Sequence, residues 1–306
     1  MLRETLLGIS RNDAVRRMIT GFPPTDLLVR NFVAGDHLDD AIAAARRLVD
    51  EGLTVTLEHL AGETADRDQA DQWTRRYLDL VDRLRKEKLA TRAEVSIKPA
   101  AIGLELPDGD DVLENARVIC IAARAAGTTV IADLEDHRAA DETLALAEEL
   151  RQDYPDTAVV VHSGLRRTES DCHDLAATRS RVRLVKGVHL EDEAIAYARP
   201  ADVDKSYVRC LKILINGNGY PMIATHDKRL IRIAEALAVQ AGRAPGDLEF
   251  QFLYGVGLPE QRRLLAAGHT VRIQLPYGSD WYGYLVRRFA DRPGNLSLLA
   301  RGLVRR

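Results

Sequence analysis

Between residues 54 and 275 the chain repeats one pattern eight times: a short run rich in β-branched and aromatic residues, then a longer run with helical spacing of its apolar positions. The strand-like runs are Thr54–His59, Glu94–Pro99, Thr128–Glu135, Thr157–His162, Arg181–Lys186, Pro221–His226, Glu249–Tyr254 and Thr270–Leu275. Helical patterns fall between them, as in Asp66–Lys88, Asp110–Ala126, Ala140–Asp153 and Asp227–Ala241, and Asp280–Phe289 follows the last. Strands that alternate with helices pair in parallel, because each helix carries the chain back to the start of the next strand. Eight such units in about 240 residues predict an α/β fold of the closed (β/α)8 TIM type. An open doubly wound sheet is the alternative. It usually has fewer strands, and no G-x-G-x-x-G follows the first strand here.

A strand between two apolar layers reads as an unbroken apolar run. Three of these strands alternate instead. Ala93, Val95 and Ile97 interleave with Glu94, Ser96 and Lys98; Phe250 and Phe252 with Glu249 and Gln251; Val271, Ile273 and Leu275 with Arg272 and Gln274. In a barrel the apolar face packs on the outer helices and the polar face lines a lumen able to do chemistry. A half-solvated antiparallel sheet would alternate in the same way, but the intervening helices disfavour it. The first 52 residues differ in character: 10–21 and Leu38–Glu51 read as helices, separated by Gly21-Phe22-Pro23-Pro24. Residues 1–52 are therefore expected to form an N-terminal helical arm packed on a barrel of residues 53–306.

Of the 306 residues 29% are charged, yet the net charge is only -3 and both signs are spread along the chain. That disfavours a nucleic-acid binder working through a bulk basic field. Cys120, Cys172 and Cys210 stand far apart with no C-x-x-C pair, as suits a reduced compartment. No apolar run approaches the ~20 residues of a membrane span, and Met1–Ser10 lacks a signal-peptide core. A cytoplasmic protein is expected, with peripheral docking at a membrane left open.

Barrels of this kind build their sites at the C-terminal ends of the strands. The polar residues there are Lys98; Asp133, Glu135 and Asp136; His162; Arg183 and Lys186 before Gly187; Thr225-His226-Asp227; Tyr254-Gly255; and, on the final helix, Arg287 and Arg288. Such a cationic bowl suits an anionic cofactor and a carboxylate substrate. Each residue also has a plainer reading: a solvated or ion-paired cation, a helix-capping carboxylate, a loop histidine. Their convergence at one rim carries the case. No metal is expected.

Six runs then occur in order: Ser96-Ile97-Lys98, Asp133-Leu134-Glu135-Asp136, Arg183-Leu184-Val185-Lys186-Gly187, Ala224-Thr225-His226-Asp227, Leu253-Tyr254-Gly255 and Tyr284-Leu285-Val286-Arg287-Arg288. This ordered set resembles the monofunctional bacterial proline dehydrogenase family, from about Thr54 to Asn295. The resemblance implies non-covalent FAD, oxidation of L-proline to Δ1-pyrroline-5-carboxylate, and passage of electrons to a quinone or another acceptor. It carries the substrate carboxylate onto Arg287 and Arg288 with Lys98 beside them, and substrate contacts onto Leu253 and Gln274. It gives the flavin to Leu134, His162, Arg183, Val185, Lys186, Gly187, Val188, His189, Thr225 and His226. Arg183 and Lys186 would be the cations that favour flavin reduction, and Asp133 would orient Arg183 and the substrate end.

Several positions depart from the family pattern, and they cluster around the substrate. Val188-His189 replaces the usual Ala-Tyr, Gln274 the Tyr that packs on the proline ring, His162 a Gln, and Asp291 a Glu. Gln274 exchanges apolar contact for hydrogen bonding. The expected substrate is thus proline or a more polar or larger relative, such as hydroxyproline or an N-substituted amino acid. Two other readings remain at this stage: a flavin barrel resembling methylenetetrahydrofolate reductase, which leaves the paired arginines without a purpose, and a non-catalytic barrel that binds a small acid.

Overall fold

A computed structural model describes residues 31–60, 64–107, 111–134, 137–187 and 192–285 of the chain. Helix α1 (Leu38–Asp50) precedes eight strands: β1 (Thr54–His59), β2 (Ala93–Ile97), β3 (Thr129–Ala132), β4 (Ala158–His162), β5 (Arg181–Val185), β6 (Tyr220–Ala224), β7 (Glu249–Leu253) and β8 (Thr270–Tyr277). Between them run α2 (Arg67–Lys86), α3 (Asp111–Ala126), α4 (Ala140–Asp153), α5 (Thr168–Ala177), α6 (Pro200–Asn216), α7 (Lys228–Gln240) and α8 (Leu258–Ala266). Each strand pairs in parallel with its sequence neighbours, and β1 pairs with β8 to close the barrel. The closed (β/α)8 architecture is the one the alternating pattern predicts.

The helices start where the sequence supplies caps. Asp66 accepts the Gln69 N–H ahead of α2, and Asp227 accepts the Arg229 N–H ahead of α7. The core lies between barrel and helices. It takes the outward residues of the strands, among them Leu57, Val95, Ile97, Val161, Leu184, Phe250 and Ile273, together with the inner faces of the helices. Ala41, Ile42, Ala44 and Ala45 of α1 join this core, so the later part of the arm packs on the barrel. The expected helix over 10–21 lies outside the described residues. All three cysteines are buried thiols. Among the described residues no helix is long and apolar enough to cross a membrane.

Most strands are shorter than the sequence runs suggest, because the chain leaves the ladder at the rim. β2 ends before Pro99 and β3 ends at Ala132. Ladder bonds nevertheless continue, from Asp133 N to Ile97 O at 2.9 Å and from Ser163 N to Val185 O at 2.9 Å. β8 runs longer, to Tyr277, where flanking segments add partners: Ala34 N donates to Pro276 O at 2.9 Å and Leu60 N to Tyr277 O at 2.8 Å.

Candidate active site

In a parallel ladder, paired residues point to the same face. The register pairs Glu58 with Ser96, Thr56 with Gln274, His162 with Val185 and Leu253 with Gln274. Carried round the barrel, this parity turns the side chains at Glu58, Lys98, Asp133, His162, Val185, Leu253 and Gln274 towards the lumen at its C-terminal mouth. Six of the seven come from the sequence-derived set; Glu58 is the addition. Buried Leu134 lies just outside the ring, beside Ile131, Ala158, Val160 and Met222, which make one wall of the lumen apolar. The other wall is charged.

Glu94 lies at the centre of that wall. It meets Arg181 at 2.8 Å and Arg183 at 3.5 Å, and accepts from Thr56 Oγ1 at 3.0 Å and Thr129 Oγ1 at 3.3 Å. Glu249 pairs with Arg272 at 2.7 Å and accepts from Gln251 Nε2 at 2.6 Å. Arg272 also donates to Val55 O at 2.9 Å. Burial pushes the Glu94 carboxyl up, but Arg181, Arg272 and Arg183 together outweigh it and hold its pKa down at about 2. Apart from Arg183, these charges lie below the rim, on strand interiors, which is why a search of strand ends misses them. Their signal is the polar parity of β2, β7 and β8.

Arg183 is 1% exposed. Its Nη2 donates to Thr56 Oγ1 at 3.1 Å and faces Glu94, whereas its Nε and Nη1 are buried without a hydrogen-bond partner. The Ser96 hydroxyl, on the same face of β2 as Glu94, is likewise unpartnered. Buried donors normally find acceptors, so orphaned guanidinium nitrogens mark a place prepared for an acceptor-rich ligand.

The remaining candidates flank the mouth. Lys186 is held by Asp204 of α6 and, at 3.3 Å, by Asp227. Thr225 is buried and its hydroxyl accepts the Asp227 N–H at 3.2 Å. His226 Nε2 accepts the Leu253 N–H at 3.0 Å and so ties the end of β6 to β7. Gly187 has φ +79°, and a Cβ there would stand 2.6 Å from the Cβ of His162. Close packing against His162 and a left-handed backbone thus both call for glycine. Gln274 donates through Nε2 to Glu58 Oε2, so its amide is directed at a neighbouring carboxylate. Glu135, Asp136, Val188, His189, Arg287, Arg288 and Asp291 lie outside the described residues.

Two histidines near the mouth are kept neutral. His59 lies between Trp73 and Tyr277, with ring centroids 4.8 and 4.7 Å away. Burial, reinforced by Arg76, lowers its pKa from 6.5 to about 4. Burial does the same to His162, to about 4, partly offset by a hydrogen bond to the Leu134 main chain. The unfolded chain takes up these protons near pH 6.5 and the folded chain only near 4, so unfolding is favoured by acid across that window. Stability is expected to be full above pH 6.5 and to fall by on the order of a few kcal/mol as pH drops through 4. Glu94 adds a further loss as pH falls from 4.5 through about 2. Urea midpoints measured from pH 7 to 4 check this, and a His59→Asn, His162→Gln variant should give a flatter curve.

A closed barrel with a charged lumen, orphaned donors below its mouth and a mixed ring of carboxylates, lysine and amide at the rim defines a (β/α)8 enzyme acting on a small charged ligand. Residues 41–301 match the family model described as proline dehydrogenase. Proline dehydrogenase 2 of Bacillus subtilis (strain 168) is 32% identical over 305 residues, 99% of each chain. The proline dehydrogenase of Deinococcus radiodurans is 33% identical over 283 residues, covering 91% of this chain and 90% of that one. Among solved structures, proline utilization A (PutA) from Bdellovibrio bacteriovorus superposes with a TM-score of 0.81 at 22% identity, over 94% of this chain and 36% of that one. That likeness speaks to the fold. The chain belongs to the proline dehydrogenase family. Membership disfavours both the methylenetetrahydrofolate reductase-like reading and the non-catalytic barrel.

Proposed function

We propose that this chain oxidises L-proline or a closely related secondary amino acid at its C–N bond, with non-covalent FAD as the first acceptor and a quinone or another acceptor as the next. The carrying observation is Arg183, buried at 1% exposure with Nε and Nη1 unpartnered, inside a barrel of this family. Flavin, when bound, supplies a two-electron acceptor for the hydride that leaves the carbon beside the amine.

The chain's own residues do the rest. Arg183, fixed by Thr56 and Glu94, keeps Nε and Nη1 free and would offer them to the negative charge that a reduced flavin carries. His162 and Gly187 would shape the floor of the flavin site, bordered by Leu134 and Val185; the resemblance adds Val188 and His189 to its contacts. Thr225 and His226, next to the N-terminus of α7, would hold the phosphate end of the cofactor. By the family resemblance Arg287 and Arg288 would bind the substrate carboxylate with Lys98, while Asp133, Leu253 and Gln274 would enclose the ring.

Anaerobic addition of proline, hydroxyproline and N-alkyl amino acids to the purified protein tests the reading. Bleaching of bound flavin by at least one of them is the expected result; a colourless, flavin-free protein, or bleaching by none, overturns it. Arg287→Lys loses a bidentate charged contact worth about 1.5–3 kcal/mol. We therefore expect kcat/KM for the preferred amino acid to fall on the order of 10- to 100-fold while flavin content stays unchanged.

A further inference from the structure

Among the described residues, four carboxylates reach the lumen from strands or strand ends on its polar side: Glu58, Glu94, Asp133 and Glu249. Glu94 and Glu249 serve as counter-ions to arginines. Glu58 differs. It is 4% exposed, stands at the mouth and, among the described residues, is bonded by one neutral donor, the amide of Gln274. A nearly buried carboxylate with only an amide for company is costly unless a cation joins it. The charged groups that share the lumen with it are Lys98 and Glu94 of the neighbouring β2 segment, Arg272 of the neighbouring β8, Asp133 after β3, His162 of β4, Arg181 and Arg183 of β5, and Glu249 of β7. Behind it, on the outer side, are His59 and Arg76 of α2. Among the described residues none of these forms an ion pair with it.

We infer that Glu58 is the counter-ion of the substrate nitrogen and that Gln274 positions it. The inference rests on the amine-oxidising reading above. The neutral amine donates its N–H to the Glu58 carboxylate. As the C–H bond gives its electron pair to the acceptor, the nitrogen lone pair forms the C=N bond and positive charge develops on nitrogen, next to Glu58. No proton need move to Glu58 in that step. The carboxylate is worth more to the transition state than to the neutral amine, so it lowers the barrier. In this light Gln274 supplies an N–H that fixes the carboxylate, which makes it a positioning residue.

The experiment compares wild type with Glu58→Gln, Glu58→Asp and Gln274→Leu, each with flavin bound, across pH. Glu58→Gln should lower the high-pH plateau of kcat about 100-fold. It should also move the acid limb of the kcat profile to lower pH, because the bound ammonium form loses its counter-ion. The deuterium isotope effect for the transferred hydrogen should rise towards its full value. Affinity for tetrahydrofuran-2-carboxylate, in which oxygen replaces the ring N–H, should fall less than affinity for proline. Glu58→Asp should recover part of the plateau, and Gln274→Leu should lose roughly 10-fold with flavin content intact. An unchanged plateau, an acid limb that moves upward as for a proton acceptor, or the same changes on Asp133→Asn in place of Glu58→Gln would overturn the assignment. Bleaching of the wild-type flavin separates the two claims: wild type that bleaches while Glu58→Gln matches it sinks only Glu58, and wild type that oxidises no secondary amino acid sinks both.

Discussion

Replacing Glu94 by Leu is expected to lower the free energy of unfolding by about 3–5 kcal/mol, the usual consequence of removing one member of a buried charge cluster. The size follows from what is left behind. Arg181 and Arg183 lose their carboxylate, and the Thr56 and Thr129 hydroxyls lose an acceptor, all in a lumen that α-helices seal from the side. Urea unfolding measures the loss, and a change below about 1 kcal/mol would mean that water already solvates the cluster. The Glu249–Arg272 pair provides the control. Removing both members together, as Leu and Met, should cost less than the sum of the two single replacements, since no charge is stranded. Glu94→Leu should also lower flavin content, because Arg183 loses the group that aims it.

Gly187→Ala is expected to be the other severe substitution. A left-handed φ costs a non-glycine residue roughly 1–2 kcal/mol, and the new methyl would stand 2.6 Å from the Cβ of His162, well inside van der Waals contact. Overpacking of that kind adds about 1–3 kcal/mol. The two contributions can be separated. A His162→Gly change in the Gly187→Ala background removes the clash but leaves the backbone strain, so it should recover only part of the thermal stability. Full recovery would place the whole effect in the contact. Because Gly187 lies at the floor of the mouth, flavin content should follow the same order: wild type, then the double variant, then Gly187→Ala.

The architecture was readable because its two periods are physical. Glu94, Ser96 and Lys98 alternate with Val95 and Ile97, and only a barrel surrounded by helices puts one set inside and the other in a core. β4 hides its inside. Ala158, Val160 and their outward neighbours are all small or aliphatic, since the lumen wall near Met222 and Ile131 is itself apolar. The rim residues were legible as strand ends plus ordered motifs. Partnership was not. Glu94 meets Arg181 and Arg183, and Gln274 meets Glu58, because strands far apart in sequence are staggered in one particular way; no local pattern encodes the stagger. Glu58 reads in sequence as an ordinary strand residue, and only the β1–β8 and β1–β2 registers turn it inward. Lys186 shows the converse. Its position after β5 is plain in the sequence, while its two aspartate partners come from α6 and from the residue that caps α7.

The last strand closes against the first: Thr54 Oγ1 donates to Val271 O, and Arg272 reaches Val55 O, across 217 positions of chain. During synthesis, then, seven strands are complete while β1 and β7 still present bare ladder edges to solvent or to other nascent chains. Contacts of such long range form late and slowly, and open edges are where chains associate wrongly. Yield in a heterologous host should therefore depend less on the finished barrel's strength than on how long the ribosome takes to deliver residues 270–277.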